Sequence, residues 1–393
     1  MTQARLLAAI ESLERWVLCH EFHGYDPFDG LTSYLRPLAL GNLLLERVLM
    51  QTIRQSPVNL RPILGVKPLD STIGRGYMSG GFIEMLKITG EAKYETLARG
   101  CLDWLVQNKS SDCATYSWGK HFDYASRGGR YRKYEPITVW TSLIGQVFFD
   151  AYEFMGKKEY LDISRSACDW ILALPRNVTN SGICLSYHLF QKGKCTIHNH
   201  NMLAAALLAR VGKCVENQEY LKLAEEAMSY SCHHQRTDGA WYYGESANTK
   251  WVDGFHTGYN LDALKCYIEN SGNRRFETNI ERGLAYYTAN LFEPDGTPKY
   301  YDQRKYPIDI QCAAQGIETL VKFSAYDVST LELAKRVAEW TIGNFQDKKG
   351  FFYYRQYPGG IKARMPMIHW GQSTMYKALA LLLSKLADEN SPA

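Results

Sequence analysis

A short stretch in the second half of the chain carries side chains that can move protons. Asp253, His256, Tyr259 and Asn260 stand at the entry of an apolar run, Leu261–Ile268. His256 and Tyr259 are three residues apart, so they share one face of a helix, and neither is a favoured N-cap residue. We therefore interpret this stretch as the floor of a substrate site. His256, Tyr259 and Asp253 are candidate catalytic residues, and Asn260 is a candidate binding residue.

Polar residues also stand at the start of other apolar helical segments. Helix N-termini offer free N–H groups and the positive end of a dipole. Several of them converging on one cavity would suit an anionic ligand such as a sugar carboxylate. Ordinary helix capping is the alternative, above all for Thr138 and Asp309. The candidates of this kind are Glu135, His198, His200, Asp309, Gln311, His369, Trp370 and Gln372.

Aromatic residues and one N-terminal loop complete the candidate site. Sugars present flat C–H faces to aromatic rings, which suits Trp118, Trp241 and Tyr301, although packing within loops would also explain such residues. The loop that follows the first helical segment contains Tyr25, Asp26 and Asp29. These could line the same cavity, or they could form a turn that caps the next helix.

The elements that must position these residues follow a repeat. Pairs of aromatic residues ten positions apart recur along the chain, and the second members of successive pairs are 54 to 66 residues apart. A shared period of this size with helical internal spacing predicts stacked helix pairs. The pairs are Tyr94 and Trp104, Tyr160 and Trp170, Tyr220 and Tyr230, and Phe276 and Tyr286, with Trp340 closing a fifth copy.

Between these copies lie helical segments that are apolar on most of their surface, which is typical of buried helices. Six inner and six outer helices, with Gln3–Cys19 as the first outer one, predict an all-α (α/α)6 barrel and one domain over residues 1–393. The segment Leu35–Ile53 does not fit the count and could be an extra inner helix or a seventh hairpin. The inner helices are expected at Gly76–Thr89, Thr138–Met155, Asn199–Gly212, Thr257–Asn270, Asp309–Ser324 and Trp370–Leu386.

The connections between helices are asymmetric. Links from an inner to an outer helix are short, whereas links back to the next inner helix are long, and long loops tend to carry function. Several long loops contain a glycine followed by aromatic residues, which predicts a turn and a short strand. We expect one rim to hold the long loops and their short β-hairpins. The glycines are Gly182, Gly239, Gly296 and Gly350.

Composition excludes several classes. The net charge is +4 and no basic block stands out, so we expect no nucleic-acid partner. There is no apolar segment long enough for a membrane span and no signal-peptide pattern at the N-terminus. Cysteines occur without a CxxC motif, which indicates free thiols and a cytoplasmic protein. His198 and His200 lie on different faces of a helix, so we expect no metal and no cofactor. The oligomeric state stays open.

Two motifs carry a resemblance to known families. Gly24–Leu31 and Ser56–Pro62 make the chain similar to proteins encoded in bacterial exopolysaccharide gene clusters. Tyr301–Arg304, followed by a helix carrying Asp309 and Gln315, resembles the helical C-terminal domain of D-glucuronyl C5-epimerases.

These resemblances imply the six-hairpin fold of carbohydrate-active proteins and a carbohydrate substrate. The epimerase likeness also makes Tyr301 and Tyr259 candidates for proton transfer. The tyrosine-rich epimerase motif before another inner helix is reduced here to Tyr134–Pro136.

The leading hypothesis is an enzyme that acts on a sugar or a uronic-acid oligosaccharide by proton abstraction and return. His256 or Tyr259 would be the base, and Tyr301 or His369 the opposing acid. A glycoside hydrolase using two rim carboxylates is the second hypothesis. A non-catalytic glycan-binding protein of a polysaccharide assembly is the third.

Overall fold

The computed structural model describes residues 1–126, 128–191 and 193–390. Helices dominate these ranges, and six of them overlap the inner segments expected from sequence. The helices are α1 Gln3–Cys19, α2 Leu43–Gln55, α3 Thr72–Thr89, α4 Ala92–Gln107, α5 Thr138–Met155, α6 Lys158–Leu172, α7 His198–Cys214, α8 Gln218–His233, α9 Gly254–Ser271, α10 Glu277–Asn290, α11 Ile310–Lys322, α12 Val328–Phe345 and α13 Thr374–Asn390.

Six inner helices form a closed ring. In ring order α3, α5, α7, α9, α11 and α13 each pack on the next, and α13 packs on α3. Each inner helix also packs on an outer helix, namely α4, α6, α8, α10, α12 and, for α13, the N-terminal α1. The (α/α)6 barrel is therefore confirmed. Nearly the whole of α7 is buried, as expected for a helix that contacts neighbours on every side.

A repeated glycine contact spaces the outer helices. Gly182, Gly239, Gly296 and Gly350 all have positive φ, a conformation that side chains with a Cβ rarely adopt. Each also lies against the backbone of the next outer helix, so closely that an added Cβ would fall 2.2 to 2.6 Å from a backbone atom. The glycines seen in sequence therefore mark a turn that docks each long loop on the following hairpin.

Short strands occupy the long loops of one rim, but fewer than expected. The pairs are β1 with β2, β3 with β4, and a three-stranded set of β5, β6 and β7. The segments after Gly239 and Gly296 were expected as strands but make isolated bridges such as Ile197 with Gly244. The strands are β1 Tyr124–Ser126, β2 Gly129–Tyr131, β3 Arg176–Thr179, β4 Gly182–Leu185, β5 Ile308–Asp309, β6 Arg355–Gln356 and β7 Lys362–Ala363.

The segment that did not fit the repeat has a separate place. Helix α2 packs on β1 and on two 3₁₀ turns, Asp29–Thr32 and Arg36–Ala39, rather than within the ring. Met50 and Ile53 are buried on its inner face. It is neither an inner helix nor a seventh hairpin. It covers part of the rim on which the long loops lie.

The last inner helix begins irregularly. Residues Ile368–Ser373 form a π-helical turn that continues into α13. Such turns occur mostly at functional positions, because the extra residue re-aims its neighbours. None of the helices in the described ranges combines the length and apolar character that crossing a membrane requires.

Candidate active site

An aspartate orients the imidazole of His256 at the start of α9. Asp253 caps this helix by accepting the backbone N–H of His256 at 2.9 Å. Its second oxygen lies 2.7 Å from His256 Nδ1 and accepts Trp251 Nε1 at 2.9 Å. A carboxylate can only accept, so Nδ1 carries the proton. The contacts of the ring thus occupy Nδ1, and Nε2 is the nitrogen available for proton transfer.

A second aspartate orients His369 in the π-helical turn. His369 Nδ1 lies 2.8 Å from Asp26 Oδ2, although Asp26 is 343 positions earlier in the chain. The same carboxylate accepts the Lys120 ammonium at 2.9 and 3.0 Å. Asp26, Lys120 and His369 are all buried. The arrangement resembles the Asp253–His256 pair with a lysine added, but here the carboxylate and the imidazole are at ion-pair distance without hydrogen-bond geometry.

Charge and burial set the protonation states of this cluster. Burial would raise the pKa of Asp26, but Lys120 and His369 outweigh it and hold that pKa well below its usual range. Burial lowers the pKa of His369, and the neighbouring Asp26 opposes this only in part. His369 is therefore a neutral imidazole near pH 7, in the form that accepts a proton.

Aromatic rings join the two imidazoles across the mouth of the barrel. Phe255 lies between His256, at 3.9 Å between ring centroids, and Trp370, at 5.2 Å. His369 contacts Trp370 at 5.6 Å and Trp140 at 5.5 Å. The two Asp–His pairs therefore border one aromatic-lined region.

Cations lie among these rings. Lys120 Nζ is 4.8 Å from the ring centroids of both Phe28 and Trp140. The Arg54 guanidinium of α2 is 4.5 Å from the Phe28 centroid and 5.9 Å from that of Trp370. Such contacts stabilise partly desolvated cations. They also place positive charge where an anion formed during a reaction would need it.

Asp309 is held rigidly beside this region. It is fully buried, forms an ion pair with Arg355 and accepts Trp370 Nε1 at 2.8 Å. Its first oxygen also caps α11 through the backbone N–H of Gln311 at 2.9 Å. Each oxygen already has a partner, so Asp309 positions Trp370 rather than facing a ligand.

A hydrogen-bonded layer lies next to the mouth on the inner helices. The Tyr259 hydroxyl is 2.8 Å from that of Tyr77 and accepts the Gln311 amide at 3.0 Å. Burial raises the pKa of Tyr259 above its usual range, although Tyr77 opposes this. Tyr259 therefore stays protonated and is unsuited as a base. Asn260 Oδ1 and Gln311 Oε1 are buried without partners among the described residues.

Two further carboxylate–imidazole pairs lie on the rim. Glu135 Oε1 is 2.7 Å from His188 Nδ1, and Glu245 Oε1 is 3.1 Å from His198 Nε2. Glu135 and His198 were both expected to bind substrate. In the structure, one polar atom of each side chain contacts another side chain of the protein, and His198 is completely buried.

Several expected binding residues lie elsewhere, because their polar atoms are used in the scaffold. Trp118 Nε1 donates to the Leu105 carbonyl and Trp241 Nε1 to the Ser231 carbonyl, both at 2.9 Å. Both tryptophans lie in loops, and their indoles are buried against the outer helices α4 and α8 rather than lining the mouth. His200 faces β4, with Nε2 2.8 Å from the Leu185 carbonyl oxygen.

Part of the N-terminal loop and of the π-helical turn also uses its polar atoms in the scaffold, although Asp29 borders the same small cavity as Asp26. Asp29 is bound through both oxygens to the Arg61 guanidinium, and Tyr25 lies beside the same cation at 5.5 Å. The Gln372 amide forms hydrogen bonds with both the backbone N–H and the carbonyl oxygen of Phe352. These groups hold the loops in place.

Tyr300, the residue before Tyr301, contacts the aromatic region of the site. Tyr300 is buried and contacts Phe255 at 5.8 Å and Arg355 at 5.2 Å. Tyr301 is half-buried and contacts Tyr300 and Arg304. The backbone of Tyr301 pairs with that of Asp253 in an isolated bridge, and its role in proton transfer stays a prediction.

A groove lies on the surface between the N-terminal loop and the loop that follows α4. It has a volume of about 400 Å³ and is lined on its charged side by Arg36, Lys67, Asp123 and Lys133. Arg36 and Asp123 form an ion pair at 2.7 Å, which leaves the two lysines in excess. A smaller cavity of about 10 Å³ shares Lys67 with the groove and is bordered by Asp26.

Sequence reasoning missed the cations of the site. Lys120 follows Gly119, where an added Cβ would fall 2.0 Å from the Glu135 carbonyl oxygen, so this close backbone approach explains the glycine and places the lysine. Arg355 follows an aromatic run, and Arg54 ends α2. A basic residue within an aromatic loop is the sequence signal that could have found the first two.

Comparisons with known proteins bear on the fold. No protein-family model and no curated protein matches the sequence. Solved structures with the same architecture include the cellobiose 2-epimerase of Bacillus thermoamylovorans, with a TM-score of 0.63 and 9% identity over 81% of this chain and 88% of that chain.

Two other structures are similar to the same degree. A D-mannose isomerase has a TM-score of 0.59 and 12% identity over 80% of this chain and 87% of that chain. An unsaturated glucuronyl hydrolase specific for heparin has a TM-score of 0.58 and 14% identity over 84% and 90%. These likenesses show a shared six-hairpin toroid, and fold alone does not define a reaction.

Proposed function

We propose that this protein is a carbohydrate-active enzyme that moves a proton at a sugar carbon, as an epimerase or isomerase does. One observation carries the proposal. Two imidazoles, His256 and His369, border one aromatic region, and the Nδ1 atom of each lies within 2.8 Å of an oxygen of its own buried aspartate. Inversion of a carbon centre requires two proton-transfer groups, one for each face of the substrate.

The reacting carbon would lie next to a carbonyl or carboxylate group of the sugar. Neutral His369 would take the proton through Nε2, and the C–H electron pair would pass into an enolate. Protonated His256 would then return a proton to the opposite face, and the reverse reaction would exchange the two roles. Arg54 and Lys120 supply positive charge for the enolate oxygen. Tyr259, which stays protonated, is a hydrogen-bond donor of the site.

The comparisons support this class without defining the substrate. Two proteins with this fold are named as a cellobiose 2-epimerase and a D-mannose isomerase. The excess of lysines in the surface groove favours an acidic sugar, which agrees with the uronic acid expected from the resemblance to exopolysaccharide-cluster proteins and D-glucuronyl C5-epimerases. A place in cytoplasmic polysaccharide metabolism is part of the proposal.

Hydrolysis is the second candidate, because an unsaturated glucuronyl hydrolase shares the fold. A hydrolase needs a general acid whose pKa is raised, opposite a second carboxylate. Asp26 and Asp309 instead form ion pairs with Lys120 and Arg355. This pairing favours proton transfer by the imidazoles over hydrolysis.

The test is NMR spectroscopy of sugars incubated with the protein in D2O. The panel contains free sugars and uronic-acid oligosaccharides, and the controls are His369→Gln in the site and His233→Gln, an exposed histidine outside it. We expect deuterium at one ring or chain carbon without bond cleavage, with wild-type exchange in His233→Gln and none in the doubly substituted His256→Gln/His369→Gln protein.

Other outcomes contradict the proposal. New reducing ends without deuterium incorporation would assign hydrolysis. Unchanged spectra with every sugar, together with saturation-transfer signals from a bound glycan, would assign the protein to the non-catalytic class.

A further inference from the structure

A separate cluster of metal-binding side chains lies behind the rim. Cys184, Cys195 and His200 each offer one donor atom, and these atoms all lie within 4.8 Å of one another. Cys184 belongs to β4, Cys195 to the loop before α7, and His200 to the first turn of α7. All are buried, with exposed fractions of 0%, 3% and 0%.

The spacing of the donors suits a tetrahedral ion. Cys195 Sγ lies 3.6 Å from His200 Nε2. Zinc bonds of about 2.3 Å to sulfur and about 2.0 Å to nitrogen, at tetrahedral angles, separate such a pair by about 3.5 Å. The Leu185 carbonyl oxygen is 3.7 Å from Cys184 Sγ and accepts a hydrogen bond from His200 Nε2 at 2.8 Å, which metal coordination at Nε2 would replace. The carbonyl oxygen of Leu185 is therefore available as a fourth donor.

Two further observations describe the surroundings of this cluster. His200 approaches the thiols through Nε2, and its other nitrogen, Nδ1, is buried without a partner among the described residues, so Nδ1 would carry the ring proton when Nε2 binds an ion. The two thiols also lie apart from the main core, in a small cluster with Tyr230 and Ile197. Packing alone would be served by hydrocarbon side chains.

We propose that Cys184, Cys195 and His200 bind a zinc ion. Two thiolates and an imidazole form a donor set that binds zinc in preference to hard cations such as Mg²⁺ and Ca²⁺. Binding would release the thiol protons to solvent, and the Leu185 carbonyl oxygen or a water molecule would complete the coordination. Because the donors are buried, the ion is structural and does not meet the sugar.

The ion would fix one wall of the proposed active site. The loop between the two cysteines carries Tyr187 and His188 to the rim, where His188 pairs with Glu135. The Thr138 hydroxyl donates to the Ser186 carbonyl at 2.8 Å and so joins this loop to α5. Coordination at both ends of the loop would hold these contacts. The sequence hid the site, because its ligands come from a strand, a loop and a helix.

The test is the metal content of the purified full-length chain after dialysis against metal-free buffer. We expect about one zinc per chain by mass spectrometry, a lower melting temperature after chelation, and recovery on adding zinc. Cobalt substitution should give thiolate-to-metal charge-transfer absorption in the wild type. Cys195→Ser and His200→Gln should abolish this band, whereas Cys168→Ser, which removes a buried thiol elsewhere, should retain it.

Three results would overturn the proposal. One is a wild-type protein that is stable without metal and takes up no more zinc than Cys195→Ser. Another is cobalt absorption that survives in His200→Gln and Cys195→Ser. The third is a mass lower by two hydrogens, with a peptide linking Cys184 to Cys195, which would assign a disulfide. None of these results depends on a sugar substrate.

Discussion

Buried carboxylates have different partners at the mouth of the barrel and in the layer beneath it. At the mouth, Asp253 and Asp26 lie beside imidazoles, which can both accept and donate protons. Deeper along the inner helices, Lys322 contacts both Asp262 and Glu318, at 2.7 and 2.6 Å. Lysine keeps its charge there, so this layer holds the ring of helices together while the mouth can exchange protons.

Removing an imidazole should have the largest effect. His369→Gln should slow epimer interconversion by about 10²–10⁴-fold, because a positioned acid or base contributes that much. The matched change in the lower layer is Lys377→Gln, which removes an ion pair to Glu318 at 2.8 Å. It should lower stability and leave interconversion per folded molecule unchanged. Equal loss of activity in both variants would contradict the claim that only the mouth takes part in proton transfer.

Removing the shared carboxylate of the lower layer should mainly affect stability. Burial would raise the pKa of Glu318, but Lys322 and Lys377 outweigh it and lower that pKa to about 2. Glu318→Gln should therefore reduce the free energy of unfolding by about 3 kcal/mol at pH 7.

The pH dependence of this difference follows from the sign of the shift. A lowered pKa in the folded state stabilises the protein above the unfolded-state value, here about 4.5. The difference between wild type and Glu318→Gln should shrink as the pH falls from there towards 2. Chemical unfolding at several pH values measures it. The control is Glu332→Gln, an exposed partner of Lys335, with an expected loss below about 1 kcal/mol. A pH-independent difference would contradict the assigned ion pairs.

The tyrosine layer between the two regions gives a sharper test. Tyr259→Phe removes the hydroxyl that contacts Tyr77 and Gln311, with an expected loss of about 1–2 kcal/mol of stability. Interconversion should fall less than about tenfold, since the phenol is not the base. Abolished turnover in a folded Tyr259→Phe protein would give the tyrosine the role assigned to His369.

The smallest effect is expected outside both regions. Trp241→Phe loses the indole hydrogen bond to the Ser231 carbonyl, which should cost about 1 kcal/mol of stability. Glycan titrations monitored by NMR should show unchanged affinity, whereas Trp370→Phe at the mouth should weaken binding. Weaker glycan binding by Trp241→Phe would show that Trp241 contributes to the binding site.

The sequence predicted the scaffold well because its signals are local and repeated. Aromatic pairs marked the outer helices, and α5 and α1 begin and end where expected. The start of α3 lies four residues before the expected Gly76, since Ser71 caps it through the Gly74 N–H. Helix α2 carries no repeat and was misplaced.

The site was predicted less completely, for physical reasons. Asp253 and His256 are three residues apart, so a helical pattern reveals their pairing. Asp26 and His369 meet only because the ring closes between the two ends of the chain. Trp118 and Trp370 are the same residue type and both follow long loop segments, and only packing separates a scaffold indole from one at the mouth.

The two-base claim is tested most directly by deuterium exchange in the single variants, with each pure epimer of the sugar that the D2O panel identifies. His256→Gln and His369→Gln should each retain exchange with one epimer, and the preferred epimer should differ between them, because each remaining imidazole faces one side of the carbon. Variants that exchange both epimers alike, or that prefer the same epimer, would contradict an active site built on the two Asp–His pairs.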